Sequence, residues 1–218
     1  MASYANSAGT KMALILAAGE LFAEHGIDAV TMRAIADKAN ENLGIIHYHF
    51  GSKEGLIKAV MDFAGEPWKE NPLGKMLEEN RGMLSTREGQ EQLVSMMTKR
   101  FLEILFSSKQ PAWCCRLGFQ IIQRDLEVSR HVFNIVARSN IEAYMQVYQS
   151  ISGDQDPERA FNWAEAALAP AVLAAVNPMT AKWMLPENAI TDQFQAKLEE
   201  ACLRNVRDAV MSIRPQIN

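Results

Sequence analysis

From residue 14 onward, apolar residues return at helical spacing. Leu14, Ala17, Ala18 and Leu21 sit at i, i+3, i+4 and i+7, with Phe22 beside them, and so form one stripe on one helix face. The stripe predicts a first helix from near Thr10 to His25, stopped by Gly26, since glycine takes the left-handed helix-ending conformation at low cost. Thr31 then precedes Met32, Ile35, Ala36 and Ala39 at the same spacing, which makes it the expected N-cap of a short second helix. Asn40, Glu41 and Asn42 interrupt the pattern, and a third short helix is expected from about Leu43 to His49. Gly51-Ser52 reads as a turn whose serine caps a fourth helix presenting Leu56, Val60, Phe63 and Ala64.

Longer helices are predicted beyond residue 64. Ser85-Thr86-Arg87-Glu88 has the form of a capping box ahead of Leu93, Met97, Phe101, Leu105 and Phe106. Gln110-Pro111 marks a break, and helices are expected over Ala112 to Gln123 and from about Leu126 to Ile151, the latter closed by Gly153. Asp156-Pro157 pairs an N-cap with proline at the first helical position, and the helix it opens contains Pro170, where a kink is expected. A last helix from about Ala189 to Ile213 carries the row Phe194, Leu198, Cys202, Val206 and Val210. No stretch alternates β-branched residues as a strand would, and no internal repeat is visible. The chain therefore reads as all-α, in three parts. These are a small, polar and flexible arm over 1–9, a helical head over 10–64, and a larger helical body over 65–218.

Two short helices joined by a three-residue turn, with a helix before and after, are the layout of a helix-turn-helix. Its second helix enters the DNA major groove while the first crosses the backbone. In the third helix Ile46 and Phe50 are the residues expected to face inward, leaving a neutral outer surface. The ordered set Ala17-Ala18, Leu21-Phe22, Gly26, Thr31, Ile35-Ala36, Ala39, Gly44, Tyr48-His49-Phe50 and Ser52-Lys53-Glu54 followed by Leu56 resembles the TetR family of one-component regulators. The run Tyr48 to Glu54 is particularly close to one branch of that family, and the likeness covers roughly the first quarter of the chain.

The resemblance implies a homodimer whose two heads bind a palindromic double-stranded DNA operator. It also implies a C-terminal pocket for a small-molecule effector whose binding changes head spacing and releases the DNA, repression being the family's commoner sign. Departures from the family pattern are Asn40 and Glu41, where glycine and an apolar residue are usual, and Asn42 in place of the Ser or Thr cap. His47 replaces the tyrosine that commonly contacts a phosphate.

The expected DNA contacts are Thr31, Arg33, Asn42, Leu43, Gly44, Ile45, His47, Tyr48, His49 and Lys53. A hydroxyl N-cap and an arginine at a helix start can each hold a phosphate oxygen, so Thr31 is a contact, a plain cap, or both. Lys53 reaches the DNA backbone or is a solvated surface lysine. Leu43 and Ile45 suit a thymine methyl, with a core position as the other reading of Ile45.

Charge runs against nucleic acid. The chain has 22 Lys and Arg against 26 Asp and Glu, a net −4. Residues 1–63 have Lys11, Arg33, Lys38, Lys53 and Lys58 against Glu20, Glu24, Asp28, Asp37, Glu41, Glu54 and Asp62, which leaves the head at −2. Such a head must rely on well-placed cations, neutral donors and helix N-termini.

Cys114, Cys115 and Cys202 are odd in number and the first two are adjacent, which does not suit a disulfide framework, so a reducing cytoplasm is the expected compartment. No secretory signal or membrane-spanning run is visible. Neither His47 with His49 nor the cysteines with His131 have zinc-ligand spacing. No phosphate loop or nucleophile signature points to an enzyme; His131, Asp125 and Cys115 are an arbitrary triple of the kind any chain this long offers. No cofactor is expected. The competing reading is a helical protein-interaction module without sequence-specific DNA binding.

The body is rich in methionine and aromatic residues, including Met96 and Tyr148. Such a set is ordinarily core, and the resemblance implies that part of it lines an apolar cavity. The expected lining is Met97, Phe101, Trp113, Arg116, Phe119, Gln120, Phe133, Tyr144 and Trp163, with Gln123 as a further polar candidate. The helices over 157–176 and 189–213 are the expected dimer interface, because Ala164, Ala167, Ala171, Ala174 and Ala175 permit close approach across a two-fold axis. The other reading is that these helices pack only within their own chain.

Overall fold

The computed structural model describes residues 2–70, 72–107, 109–124, 127–186 and 192–213. The described residues contain helices and no strand. By packing they fall into two compact units, Met1–Pro67 with Ser108–Ile135, and Trp68–Ser107 with Val136–Asn218. The expected head, 10–64, lies within the first unit, which also takes in two helices from the middle of the chain.

The first unit begins with α1 (Ala2–His25), α2 (Met32–Lys38), α3 (Leu43–Phe50) and α4 (Lys53–Ala64). α8 (Trp113–Ile122) and α9 (Glu127–Val136, up to Ile135) complete it. The first helix starts at Ala2 rather than near Thr10, so the segment expected as a flexible arm is helical; it holds alanines and no proline, which lets a helix run through it. α1 ends where Gly26 takes φ +81 and returns its N–H to Phe22 O at 2.9 Å. Of the expected stripe, Leu14, Ala17 and Ala18 are buried and Leu21 is half-buried, with Phe22 beside them buried, together with Ile35 and Ala36 of α2, Ile46 of α3, and Leu56, Val60 and Ala64 of α4. Each fully buried aliphatic side chain of this kind contributes roughly 1.5–3 kcal/mol.

α8 packs on α1 and α4. Gly19 lies so close to the Trp113 indole that a Cβ there would collide with it, so glycine is what allows the two helices to meet. α9 is tied to the same body by Ser129 Oγ, which donates to Ile121 O at 2.7 Å, and by His131 Nε2, which donates to Asp62 Oδ1 of α4 at 2.8 Å. Gln110 Nε2 donates to Phe63 O at 3.0 Å, and Arg124 Nη2 pairs with Asp28 Oδ2 at 2.6 Å.

The second unit contains α6 (Leu73–Glu79), a 3₁₀ turn (Arg81–Ser85), α7 (Arg87–Leu105), α10 (Arg138–Ser152), α11 (Pro157–Val176), α12 (Pro178–Met184) and α13 (Asp192–Ser212). The short α5 (Glu66–Glu70) spans the boundary and contributes Trp68 to this unit. Its core joins Trp68, Leu73, Leu77, Leu93, Met97, Phe101, Tyr144, Val147, Ala164, Leu168, Cys202, Val206 and Val210.

Three features differ from the sequence-based expectation. α5, α6 and α12 are short helices that the periodicity did not reveal. The span expected as one helix to Ile151 is broken at Ala137 (φ −108, ψ −43) into α9 and α10, with Asn140 Nδ2 donating to Val136 O at 2.6 Å across the break. The capping box is not formed: Thr86 caps α7 by accepting from Gly89 N, while Ser85 Oγ donates to Gly82 O inside the 3₁₀ turn. α11 contains Pro170, as expected. Asp125 and the expected helix starts at Leu126 and Ala189 lie outside the described residues.

Candidate nucleic-acid interface

Local hydrogen bonding builds the helix-turn-helix. Thr31 Oγ1 accepts from Ala34 N at 3.1 Å and Asn42 Oδ1 from Ile45 N at 3.0 Å, so α2 and α3 each start on a side-chain cap. Ser52 Oγ does the same for α4 through Gly55 N at 3.1 Å. Between α2 and α3, Asn40 holds φ 57, a left-handed conformation in which asparagine is among the few tolerated non-glycine residues. That explains how asparagine can stand where the related family has glycine.

The turn and its neighbours are also held by contacts between residues distant in sequence. Thr10 Oγ1 of α1 donates to Glu41 Oε1 at 3.0 Å, so the carboxylate at a usually apolar position clasps the first helix. Lys53 Nζ donates to Val30 O at 2.5 Å, which ties the start of α4 to the residue before the α2 cap. An ammonium has three donors, so this bond leaves others for an anion. Neither contact has a signal in the sequence, since the partners are separated by 31 and 23 positions.

α3 is anchored by Ile46, fully buried, with Phe50 and Ile45 half-buried. Its other side carries Gly44, His47 and Tyr48, all exposed, with Leu43 beside them. Tyr48 is 83% exposed, an unusual state for a large aromatic side chain. Its ring meets His49 edge-on at 5.1 Å. His47 Nδ1 lies 3.1 Å from Gly51 O. α3 has no acidic residue in its first turn, and Arg33 is exposed near the start of α2. The expected contacts Thr31, Arg33, Asn42, Leu43, Gly44, His47, Tyr48 and Lys53 thus fall on or beside the α2–α3–α4 starts and the outer face of α3. Ile45 and His49 are half-buried.

The expected effector residues divide between the two units. Trp113 (buried), Arg116, Phe119 and Gln120 (exposed) and Phe133 (half-buried) belong to the first. Met97, Phe101 and Tyr144, all buried, and the half-buried Trp163 belong to the second. There the Tyr144 hydroxyl meets Thr98 Oγ1 at 2.6 Å, and burial pushes its phenol well above the ordinary range despite that bond. The Trp163 ring lies near those of Tyr144 (6.2 Å) and Tyr148 (5.8 Å) of α10, and its buried indole Nε1 has no hydrogen-bond partner. An open groove of about 450 Å³ lies elsewhere on this unit, lined by Glu88, Glu91, Gln92, Ser95, Met96 and Arg207, none of them an expected effector contact.

Ala164, Ala167 and Ala171 are buried within their own unit, whereas Ala174 and Ala175 are half-buried. Among the described residues, the large apolar side chains that α11 and α13 leave exposed are Phe161, Leu173 and Met211.

Burial pushes the Cys114 thiol up to about 12, with the neighbouring Cys115 adding to it, and that of Cys115 up to about 11. Both stay protonated near neutrality, which disfavours thiolate chemistry. Among the described residues no group of three His, Cys, Asp or Glu is placed to hold a metal ion, and no helix is long and apolar enough to cross a membrane.

Residues 14–60 match the family described as Bacterial regulatory proteins, tetR family. The chain is 43% identical over 53 residues to an HTH-type transcriptional repressor of Mycobacterium tuberculosis, and 44% identical over 63 residues to the HTH-type transcriptional dual regulator CecR of Shigella flexneri. These matches cover 24% and 27% of this chain and 28% of each relative, so the chain aligns with little more than a quarter of the relatives' length. The fold as a whole is similar to HlyIIR, a hemolysin II transcriptional regulator (TM-score 0.59, 16% identity, 89% of this chain and 97% of that one). It is also similar to a TetR-family regulator from Streptomyces coelicolor (TM-score 0.58, 13% identity, 94% and 95%).

Proposed function

We propose that this chain, which belongs to the TetR family by its N-terminal domain, binds a palindromic operator as a homodimer and leaves it when a small molecule binds its C-terminal unit. DNA-binding transcriptional regulation is the family's general activity; the operator, the dimer and the release are our reading. The observation that carries it is the outer face of α3. A short helix, capped at its start and anchored by one buried isoleucine, presents Gly44, His47 and Tyr48 to solvent with no acidic side chain among them.

In a two-fold dimer the two α3 helices would sit near one turn of DNA apart, about 34–36 Å. Leu43 and Tyr48 would meet base edges, while Thr31, Arg33 and Lys53 hold phosphates and fix the register. With a net negative head, binding must be concentrated at these few cations and at the neutral donors. The protein would act from the cytoplasm, and repression is the sign we assign, in keeping with the repressor named among its relatives.

The effector site we place in the second unit, around Met97, Phe101, Tyr144 and Trp163. The unpartnered Trp163 Nε1 supports this, because a buried donor without a partner is costly and an acceptor on a ligand would satisfy it. A ligand that favours a head spacing unfit for the operator must weaken DNA binding by the same factor by which DNA weakens the ligand.

The test is a fluorescence-anisotropy titration of the full chain onto DNA from immediately upstream of its own gene, at two salt concentrations, with random DNA as control. We expect tight binding to that fragment or to another genomic site, steep loss with salt, and loss on Tyr48→Ala. If no genomic site binds more tightly than random DNA, the regulator reading fails and a protein-interaction role replaces it.

A further inference from the structure

We infer that His47 determines operator sequence by accepting a hydrogen bond from the amino group of an adenine or a cytosine, and is not a phosphate contact. The inference rests on the operator-binding reading above and specifies one of its contacts. Its starting point is the 3.1 Å approach of His47 Nδ1 to Gly51 O.

A backbone carbonyl carries no hydrogen, so the ring nitrogen facing it must be the donor. In a neutral imidazole only one nitrogen bears hydrogen, and Nε2, on the far edge of the ring, is left with a lone pair. The carbonyl is itself held in place. Gly51 is the C-cap of α3 at φ 70, and its N–H returns to His47 O at 2.9 Å. The same residue therefore accepts the hydrogen bond of the histidine's ring N–H and donates to its backbone, which makes the ring orientation a property of the turn.

An acceptor on the outer face of α3 has few possible partners on DNA. Phosphate oxygens carry no hydrogen and repel a lone pair. In the major groove guanine offers N7 and O6 and thymine offers O4, all acceptors. Donors there are the N6 amino group of adenine and the N4 amino group of cytosine. His47 shares its exposed face with Gly44 and Tyr48, one turn apart, and Gly44 has no side chain to hold the helix away from the base edges. Where a tyrosine hydroxyl at this position can donate to a phosphate, the locked neutral histidine cannot. The substitution thus moves the contact from the sequence-neutral backbone to the base edges.

The experiment uses the full chain and a panel of operators in which each base pair of a half-site is changed in turn. Binding is measured at about pH 8, where an imidazole is neutral. For the unaltered protein we expect one position per half-site where an amino-bearing base on the contacted strand is favoured roughly five-fold over guanine and thymine. His47→Ala should flatten that position and leave the other positions and random-DNA affinity as they were. His47→Lys, which can only donate, should turn the preference at that position toward guanine. A uniform loss across all operators in His47→Ala would show a phosphate contact and overturn the inference, as would no change at any position. Either result leaves the operator-binding reading standing. That reading fails separately, if the unaltered protein does not tell any operator from random DNA.

Discussion

Asn40 shows how a departure from a family pattern becomes intelligible once the backbone is known. Its φ of 57 is a conformation the turn between α2 and α3 demands, and asparagine meets it nearly as well as glycine. Asn40→Gly is therefore expected to leave stability close to unchanged. Asn40→Val should cost about 1–2 kcal/mol and weaken operator binding with it, because the angle between the two helices depends on this residue. Urea unfolding midpoints for the two variants check this, and equal midpoints would remove the role assigned to the turn. Single-residue signals of this local kind were legible in the sequence: the caps Thr31, Asn42, Ser52 and Asp156, and the stops at Gly26 and Gly153, all stand where expected. The contacts that join separate segments were not. Nothing near Glu41 points to Thr10, and nothing near Lys53 points to Val30, because such pairs exist only once the helices have packed.

At the scale of elements, long periodic helices and the short capped α2 and α3 were readable, and three uncapped short helices were not. α5, α6 and α12 span five to seven residues and, unlike the equally short α2 with its Thr31 cap, have no side-chain cap to mark their start, although Trp68, Leu73 and Leu77 are core residues. The break at Ala137 has neither glycine nor proline to announce it, and it falls where the chain passes from one compact unit to the other. That division gives α9 its place: it belongs with the head, tied to α4 through His131 and Asp62. Burial alone would raise the Asp62 carboxyl, but hydrogen bonds from His131 and then Lys58 hold it below the ordinary aspartate value. A carboxyl lowered in the folded state stabilises the protein above its unfolded value of about 4, and that contribution is lost as pH falls through the lower folded value. The melting-temperature gap between the unaltered protein and Asp62→Asn should therefore be present at pH 6 and shrink toward pH 3. A gap constant across that range would show that the α4–α9 tie contributes nothing through this carboxylate.

The whole molecule is where sequence reasoning and packing diverge most. Small residues along α11 invited a close-packed interface between two copies, yet Ala164, Ala167 and Ala171 are already buried against their own unit, where α11 lies on α10 and α13. What these helices leave for a partner is a larger apolar surface, with Leu173 63% exposed, Met211 48% and Phe161 43%. An interface built from such residues gains its stability from area removed from water, and a charge at its centre would be left without solvent or a partner. Leu173→Glu, at a position that is exposed in the single chain, should fold as the unaltered protein does and elute at 24.4 kDa, whereas the proposed dimer of the unaltered protein should elute at twice that mass. Operator affinity should fall far more than random-DNA affinity, since a lone head loses the second half-site while keeping its own phosphate contacts. Should the variant remain a dimer that still binds the operator, the two-fold axis runs through another face. Should it become a monomer with undiminished operator affinity, the palindromic reading itself would go, because a single α3 would then be enough to read the site.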